Sequence, residues 1–423
     1  MPAPLRFEIA ARSSSCAARR GVVTTPHGSF QTPAFMPVGT KGTVKGITPE
    51  LVRRTGAEIL LNNTYHLLLR PGPELVQKMG GVHSFMNWPR PILTDSGGYQ
   101  AYSLSELNRV DDDGVTFKSI VDGSEVRLTP ERAIAVQNML GPDIMMAFDD
   151  CPPSIDPNAQ APNQPRLASA ARRDSVRGVA GGGRPKTYDH VARLDLANER
   201  TVRWLERCIR AHERKDVQAL FGIVQGGTDL DRRRWSAERI CALDCPGFAI
   251  GGVAVGESPE DIAKIVRFTA PLLPDHKPRY LMGVGYERDI LEAVRSGVDM
   301  FDCVLPTRNG RNANAFTASG QIRLRNAQFA DDPRPIEPGC DCEACAGASE
   351  VRVGHFSRSY LRHLFMADEM LGPILVTLHN LRHFQRFMAD LRSTIVSDEW
   401  AGFRARWPVA YTPVSDGQAP VAI

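Results

Sequence analysis

Eight short apolar runs punctuate this chain, at 34–38, 58–61, 91–94, 144–148, 219–224, 247–250, 279–282 and 300–305, and most are followed by a stretch with helical periodicity. A run of this length suits a strand buried on both faces, and strands alternating with helices build a parallel sheet. Eight such units are the number that closes a (β/α)8 barrel. The helix starts agree. Thr129-Pro130-Glu131 offers a capping hydroxyl with proline at the first helical position, and Ser258-Pro259-Glu260-Asp261 repeats the pattern. With 423 residues, the chain can hold a barrel of about 250 residues plus insertions.

Polar residues gather just after these runs: Asn62 and Asn63, Asp95 and Ser96, Asp149 and Asp150, Gln225, Gly251 and Gly252, Gly283, and Asp302. In a parallel barrel all strands open their C-terminal ends on one face, so these residues would converge there. Strand termination or helix capping accounts for any one of them, but poorly for three acids together with glutamine and glycines. In Asp95-Ser96-Gly97-Gly98-Tyr99-Gln100 the paired glycines let the backbone approach a planar ligand beneath Tyr99. Phe148-Asp149-Asp150-Cys151 and Gly222-Ile223-Val224-Gln225-Gly226-Gly227 supply a carboxylate acceptor and an amide that both donates and accepts, as guanine's edge requires. In Met300 to Asn312 a single acid, Asp302, is followed by Arg308 and Arg311 on what reads as a Gly-containing loop suited to clamping phosphates or bases. Here the plainer alternative is an aspartate capping the next turn.

The net charge of +3 is too mild to identify a nucleic-acid binder, and no run of apolar residues is long enough to span a membrane. A cytoplasmic protein without membrane attachment is expected. Of nine cysteines, six are scattered and three form Cys340-Asp-Cys342-Glu-Ala-Cys345, which argues for a metal site and against a disulfide framework. Unmetallated thiols or an iron–sulfur site are the alternatives. Segment 154–186, rich in Pro, Ala, Gly and Arg, reads as a mostly disordered insertion, although its arginines could touch RNA. The division expected is a barrel over 1–325, a metal-braced subdomain over 326–379, and a C-terminal helical segment over 380–423 packing on the barrel.

Together DSGGYQ at 95–100, FDDC at 148–151, GIVQGG at 222–227, IGGVAVGE at 250–257, YLMGVG at 280–285, MFDCVLPTRNGRN at 300–312 and the cysteine cluster with His379-Asn380 resemble the bacterial tRNA-guanine transglycosylases, in the family's order and along nearly the whole chain. The resemblance implies an α/β fold, a TIM-type barrel with an inserted zinc-binding subdomain near the C-terminus. It implies exchange of the anticodon wobble guanine of tRNAs for aspartate, asparagine, histidine and tyrosine with 7-aminomethyl-7-deazaguanine, a step of queuosine biosynthesis.

In that pattern Asp302 is the nucleophile, forming a covalent link to ribose, and Asp95 is general acid and base with Asn63 beside it. Asp149 binds the amino edge of the base, Gln225 and the N–H of Gly252 bind its carbonyl, and Tyr99 and Met282 sandwich the ring over Ser96, Gly97 and Gly98. Cys151 and Val255 line the part that receives the substituent at position 7. The tRNA would be met by Gly283, Val284, Gly285, Tyr286, Glu287, Arg288 and Asp289, and by Thr307, Arg308, Asn309, Gly310 and Arg311. Tyr286 and Val253 depart from the family's usual residues. Cys340, Cys342, Cys345 and His379 would hold one structural Zn2+; His355 and His363 are nearer the cluster in sequence, but only His379 has the His-Asn context. A homodimer is implied as well. The rival readings are a noncatalytic tRNA-binding subunit, which need not keep both Asp95 and Asp302, and a metal-dependent hydrolase, which would want histidines at the strand ends.

Overall fold

In the computed structural model all eight runs form strands of one sheet: Ala34–Met36, Leu60–Asn62, Ile92–Thr94, Ile144–Met146, Ala219–Val224, Gly247–Ile250, Arg279–Leu281 and Met300–Asp302. The structure describes residues 3–104, 108–154, 156, 189–346 and 354–412. Apart from Ser154 and Asp156, the 154–186 insertion lies outside them. Every pairing within the sheet is parallel, the first strand pairs with the eighth, and a parallel bridge from Val38 to Leu61 joins the first strand's end to the second. The sheet therefore closes, and the expected α/β barrel is present.

Period-two alternation sorts the strand side chains between two cores. Ala219, Phe221, Ile223, Ala249, Tyr280 and Met300 pack inside the barrel, while Leu220, Phe248, Leu281 and Phe301 belong to the core shared with the surrounding helices. Asp302, two residues after Met300, keeps that inward direction at the strand's C-terminal end. The expected helix caps are present. Thr129 Oγ1 accepts from the N–H of Arg132 at 3.2 Å, and Ser258 Oγ from that of Asp261 at 3.1 Å.

A three-stranded antiparallel sheet, Arg6–Arg12, Arg19–Thr25 and Gly28–Thr32, precedes the barrel and sends Val23 and Phe30 into the inner core. It covers the N-terminal ends of the strands, and buried charges lock it there. Arg19 forms an ion pair at 2.6 Å with Asp299, the residue before the eighth strand. Asp143, the residue before the fourth strand, accepts from the backbone N–H of His27 (3.1 Å) and of Ile92 (2.9 Å), and also bonds the His27 and His83 rings at 2.8 and 2.9 Å. With this end closed, the C-terminal end is the open one. A second antiparallel sheet, Asn108–Asp111, Gly114–Lys118 and Glu125–Leu128, is inserted after the third barrel strand.

Past the last barrel strand, Leu305–Arg311 is a short helix, which corrects the expectation of a loop around Arg308 and Arg311. A hairpin (Asn314–Thr317, Gly320–Arg323), the cysteine segment and the helix Arg358–Met366 follow. Then the 27-residue helix Leu371–Ser397 runs without interruption through the boundary placed between 379 and 380. Its first half carries His379. Its second half is tied to the first barrel strand and the turn before it, through Gln385 Nε2 to the carbonyl of Phe35 (3.0 Å) and Arg392 Nη1 to that of Pro33 (2.8 Å). Among the described residues no helix is long and apolar enough to cross a membrane.

Candidate active site and metal centre

At the open end of the barrel lies a cavity of about 250 Å³. Asp95, Ser96, Tyr99, Asp149, Gln225, Gly252, Met282, Gly283, Asp302 and Arg308, named from six separate sequence motifs, all line it. Asn63, Cys151 and Val255 line it too. Gly97 and Gly98 sit behind it and shape the turn. Gly97 has φ +78°, and a Cβ on Gly98 would lie 3.0 Å from the Phe148 ring.

Two aspartates face this space in differently built settings. Asp302 accepts from Tyr280 Oη at 2.5 Å and from the N–H of Gly283 at 2.8 Å, and both bonds fall on Oδ1. Among the described residues nothing bonds Oδ2, and the residue before the helix Leu305–Arg311 is Val304, so Asp302 is not a helix cap. Burial pushes its pKa up while the Tyr280 and Gly283 bonds pull it down. Asp95 accepts from Asn63 Nδ2 (2.5 Å), the N–H of Thr64 (2.8 Å) and Gln100 Nε2 (2.8 Å). Burial raises its pKa to about 6, against those three bonds and with the Asp302 charge adding to the rise. One carboxylate with a free oxygen thus stands near another poised to carry a proton at neutral pH.

Asp149 also lines the cavity, receiving Gln225 Nε2 at 2.6 Å, and burial followed by the neighbouring Asp150 charge lifts its pKa to about 7. Asp150, its sequence neighbour, is turned to structural use in ion pairs with Arg193 at 2.7 Å and Arg200 at 2.5 Å. Gly252 has φ +61°, and a Cβ there would lie 2.3 Å from Gln225 Oε1, so only glycine fits against that amide.

The tRNA-contact candidates divide by exposure. Thr307, Gly310, Val284 and Glu287 are buried, and Glu287 bonds His383 of the long helix at 2.6 Å. Tyr286, Arg288, Asp289, Asn309, Arg308 and Arg311 are partly exposed. Arg288 pairs with Asp289 at 2.9 Å. Arg311 has its pKa lowered by burial and then by the charge of Arg308. Sequence reasoning passed over Tyr280, although it stands two residues before Met282 and its inward direction follows from alternation. The backbone donors of Thr64 and Gly283 carry no side-chain signal at all.

Cys340, Cys342, Cys345 and His379 are all buried and converge, with Sγ to Nδ1 distances of 3.7, 3.4 and 3.4 Å. A tetrahedral ion about 2.3 Å from sulfur and 2.0 Å from nitrogen would separate each such pair by about 3.5 Å, so the cluster fits a metal ion. Nε2 of His379 is 2.7 Å from the carbonyl of Phe316; donating there leaves Nδ1 free to coordinate. His355 instead bonds the carbonyl of Pro333 and is exposed, and neither it nor His363 belongs to the cluster.

The family model for queuine tRNA-ribosyltransferase matches residues 14–173 and 184–413. The chain belongs to this family. It is 44% identical over 404 residues to the queuine tRNA-ribosyltransferase of Anoxybacillus flavithermus, covering 96% of each chain. The enzymes of that name from Symbiobacterium thermophilum (48% over 400 residues, 95% of this chain and 90% of the relative) and Herpetosiphon aurantiacus (49% over 390 residues, 92% and 89%) are similar over almost as much. Family membership thus coincides with a cavity in which every candidate base-contacting side chain is gathered.

Proposed function

We propose that this queuine tRNA-ribosyltransferase family member is a tRNA-guanine transglycosylase of queuosine biosynthesis. It replaces the wobble guanine of tRNAs for aspartate, asparagine, histidine and tyrosine with 7-aminomethyl-7-deazaguanine. The observation that carries this reading is the pair of buried carboxylates in one cavity, Asp302 with Oδ2 unbonded and Asp95 with a pKa of about 6. Oδ2 of Asp302 attacks C1′ of the ribose. The C1′–N9 bond breaks, its electron pair leaves with guanine, and an ester joins Asp302 to the sugar. Asp95 gives a proton to the departing base. Guanine then exchanges with the incoming base, whose ring N–H is deprotonated by Asp95 as that nitrogen attacks C1′ and the ester bond returns its electrons to Asp302.

Asp149, Gln225 and the Gly252 N–H would read the base's edge, with Tyr99 and Met282 against its faces. Arg308, Arg311 and the 283–289 loop would hold the anticodon. The ion in the Cys₃His cluster is zinc, one per chain; thiolate and imidazole ligands suit it, and four protein ligands leave no open position, so its contribution is to folding and not to the reaction. We place the enzyme in the cytoplasm with its tRNA substrates, as a homodimer.

The deciding experiment incubates the protein with tRNA and labelled guanine, then traps the enzyme–tRNA adduct on a denaturing gel. Label is incorporated by the native protein, and Asp302→Asn loses both incorporation and adduct. An undiminished adduct in that variant would assign the nucleophile elsewhere, and base release without incorporation would make the protein a hydrolase.

A further inference from the structure

Arg233, on the helix Leu230–Cys241, has no accessible surface, yet among the described residues no carboxylate lies within ion-pair distance of it. Its guanidinium faces four backbone carbonyls. Nε donates to Gly227 (2.9 Å), Nη1 to Val224 (3.0 Å) and Gly251 (2.7 Å), and Nη2 to Gly252 (3.0 Å). Burying a cation without an adjacent anion costs several kcal/mol, and burial lowers this one's pKa to about 10, with Glu257 as the largest compensating charge. Packing alone would be served by an apolar side chain. The four carbonyls belong to the two segments that carry Gln225 and Gly252.

The peptide between Gly251 and Gly252 is not among the cis bonds of the described residues, so its C=O and N–H point in opposite directions. Arg233 holds the oxygen from behind the cavity, whose lining includes Gly251 and Gly252 but not Arg233. The Gly252 N–H must then point away from Arg233, towards the cavity. The bond to the Gly252 carbonyl turns the next N–H, that of Val253, the same way.

We propose that Arg233 is a positioning residue that makes the cavity selective for a base bearing a carbonyl oxygen. It acts by fixing the Gly252 N–H as a donor and by polarising that peptide from behind. A cation hydrogen-bonded to the C=O strengthens the donor at the other end of the same peptide. The benefit grows as the base leaves with the bonding electron pair and its oxygen becomes more negative. This inference rests on the base-exchange reading.

The test compares Arg233→Met and Arg233→Lys with the native protein, using guanine and 2-aminopurine as competing bases. The second keeps the rings and amino group but lacks the oxygen. Arg233→Met should weaken guanine inhibition about ten- to hundredfold, the scale of leaving one buried acceptor unsatisfied, while 2-aminopurine changes less than about threefold. Arg233→Lys, which keeps the cation but can serve fewer carbonyls, should show the same base-dependent loss to a smaller degree, and it serves as the test if the Met variant does not fold. Equal losses for both bases, the mark of a collapsed cavity, or no loss for guanine would overturn the proposal. Failure of the native protein to incorporate guanine would instead overturn the base-exchange reading.

Discussion

Asp302 shows how two neighbours can select one oxygen of a carboxylate for reaction. Tyr280 and the Gly283 N–H occupy Oδ1, and the same two bonds hold the carboxyl's pKa down against burial. Removing the phenol in Tyr280→Phe leaves burial less opposed, so the pKa of Asp302 rises further and more of it is protonated at mildly acidic pH. The nucleophile must be ionised. The acid limb of the kcat/KM profile for guanine exchange should therefore move to higher pH, with a larger loss at pH 6 than at pH 8. A loss that is uniform across pH would mean that Tyr280 only maintains packing. Asp149 and Asp150 make the complementary point, since adjacent acids in one motif serve a cavity and a salt-bridge network respectively.

At the scale of the element, the helix Leu305–Arg311 is positioned by contact rather than by local propensity. The glycine between Arg308 and Arg311 suggested a loop. Packing against Leu371–Ser397 overrides it. A Cβ on Gly310 would lie 2.6 Å from Thr377 Oγ1 and 2.8 Å from that residue's backbone, so glycine is present here for close helix approach. Gly310→Val should cost about 1–3 kcal/mol of stability by overpacking and weaken tRNA binding through displaced Arg308 and Arg311. Chemical denaturation and a tRNA binding titration check this; unchanged stability would show that the two helices separate at little cost.

For the whole molecule, the long helix couples the Cys₃His cluster to the barrel, because it carries His379 in its first half and Gln385 and Arg392 hold the Phe35 and Pro33 carbonyls further along. Cys342→Ala is expected to lose the ion, lower Tm and weaken tRNA binding, since a closed site contributes its binding energy to folding. Metal analysis and thermal melts decide it, and stoichiometric zinc with normal tRNA affinity would refute the assignment. The insertion offers a test of the opposite kind. His190 Nε2 lies 3.1 Å from the carbonyl of Ser154, so the two flanks meet. Replacing 160–186 with a short Gly/Ser link should leave guanine exchange within about twofold, in keeping with a composition too polar to build a core. A large loss of tRNA affinity with a shallower salt dependence would show that its arginines bind phosphate.

The barrel and most of the cavity could be read from the residues because both follow from short-range regularities. Apolar runs mark the strands, period-two alternation decides which side chains point inward, and a parallel sheet brings all its strand ends to one face. Cys-x-Cys-x-x-Cys likewise announces a metal cluster by spacing alone. Contacts between segments far apart in the chain were not legible in this way. The N-terminal sheet sealing the barrel, the burial of Glu287 against His383, and the placement of Arg233 behind Gly251 and Gly252 depend on where whole elements come to rest. Backbone donors and acceptors are the same at every non-proline residue, so a site built partly from them leaves little trace in residue identity. Only the folded chain decides which of them face the cavity.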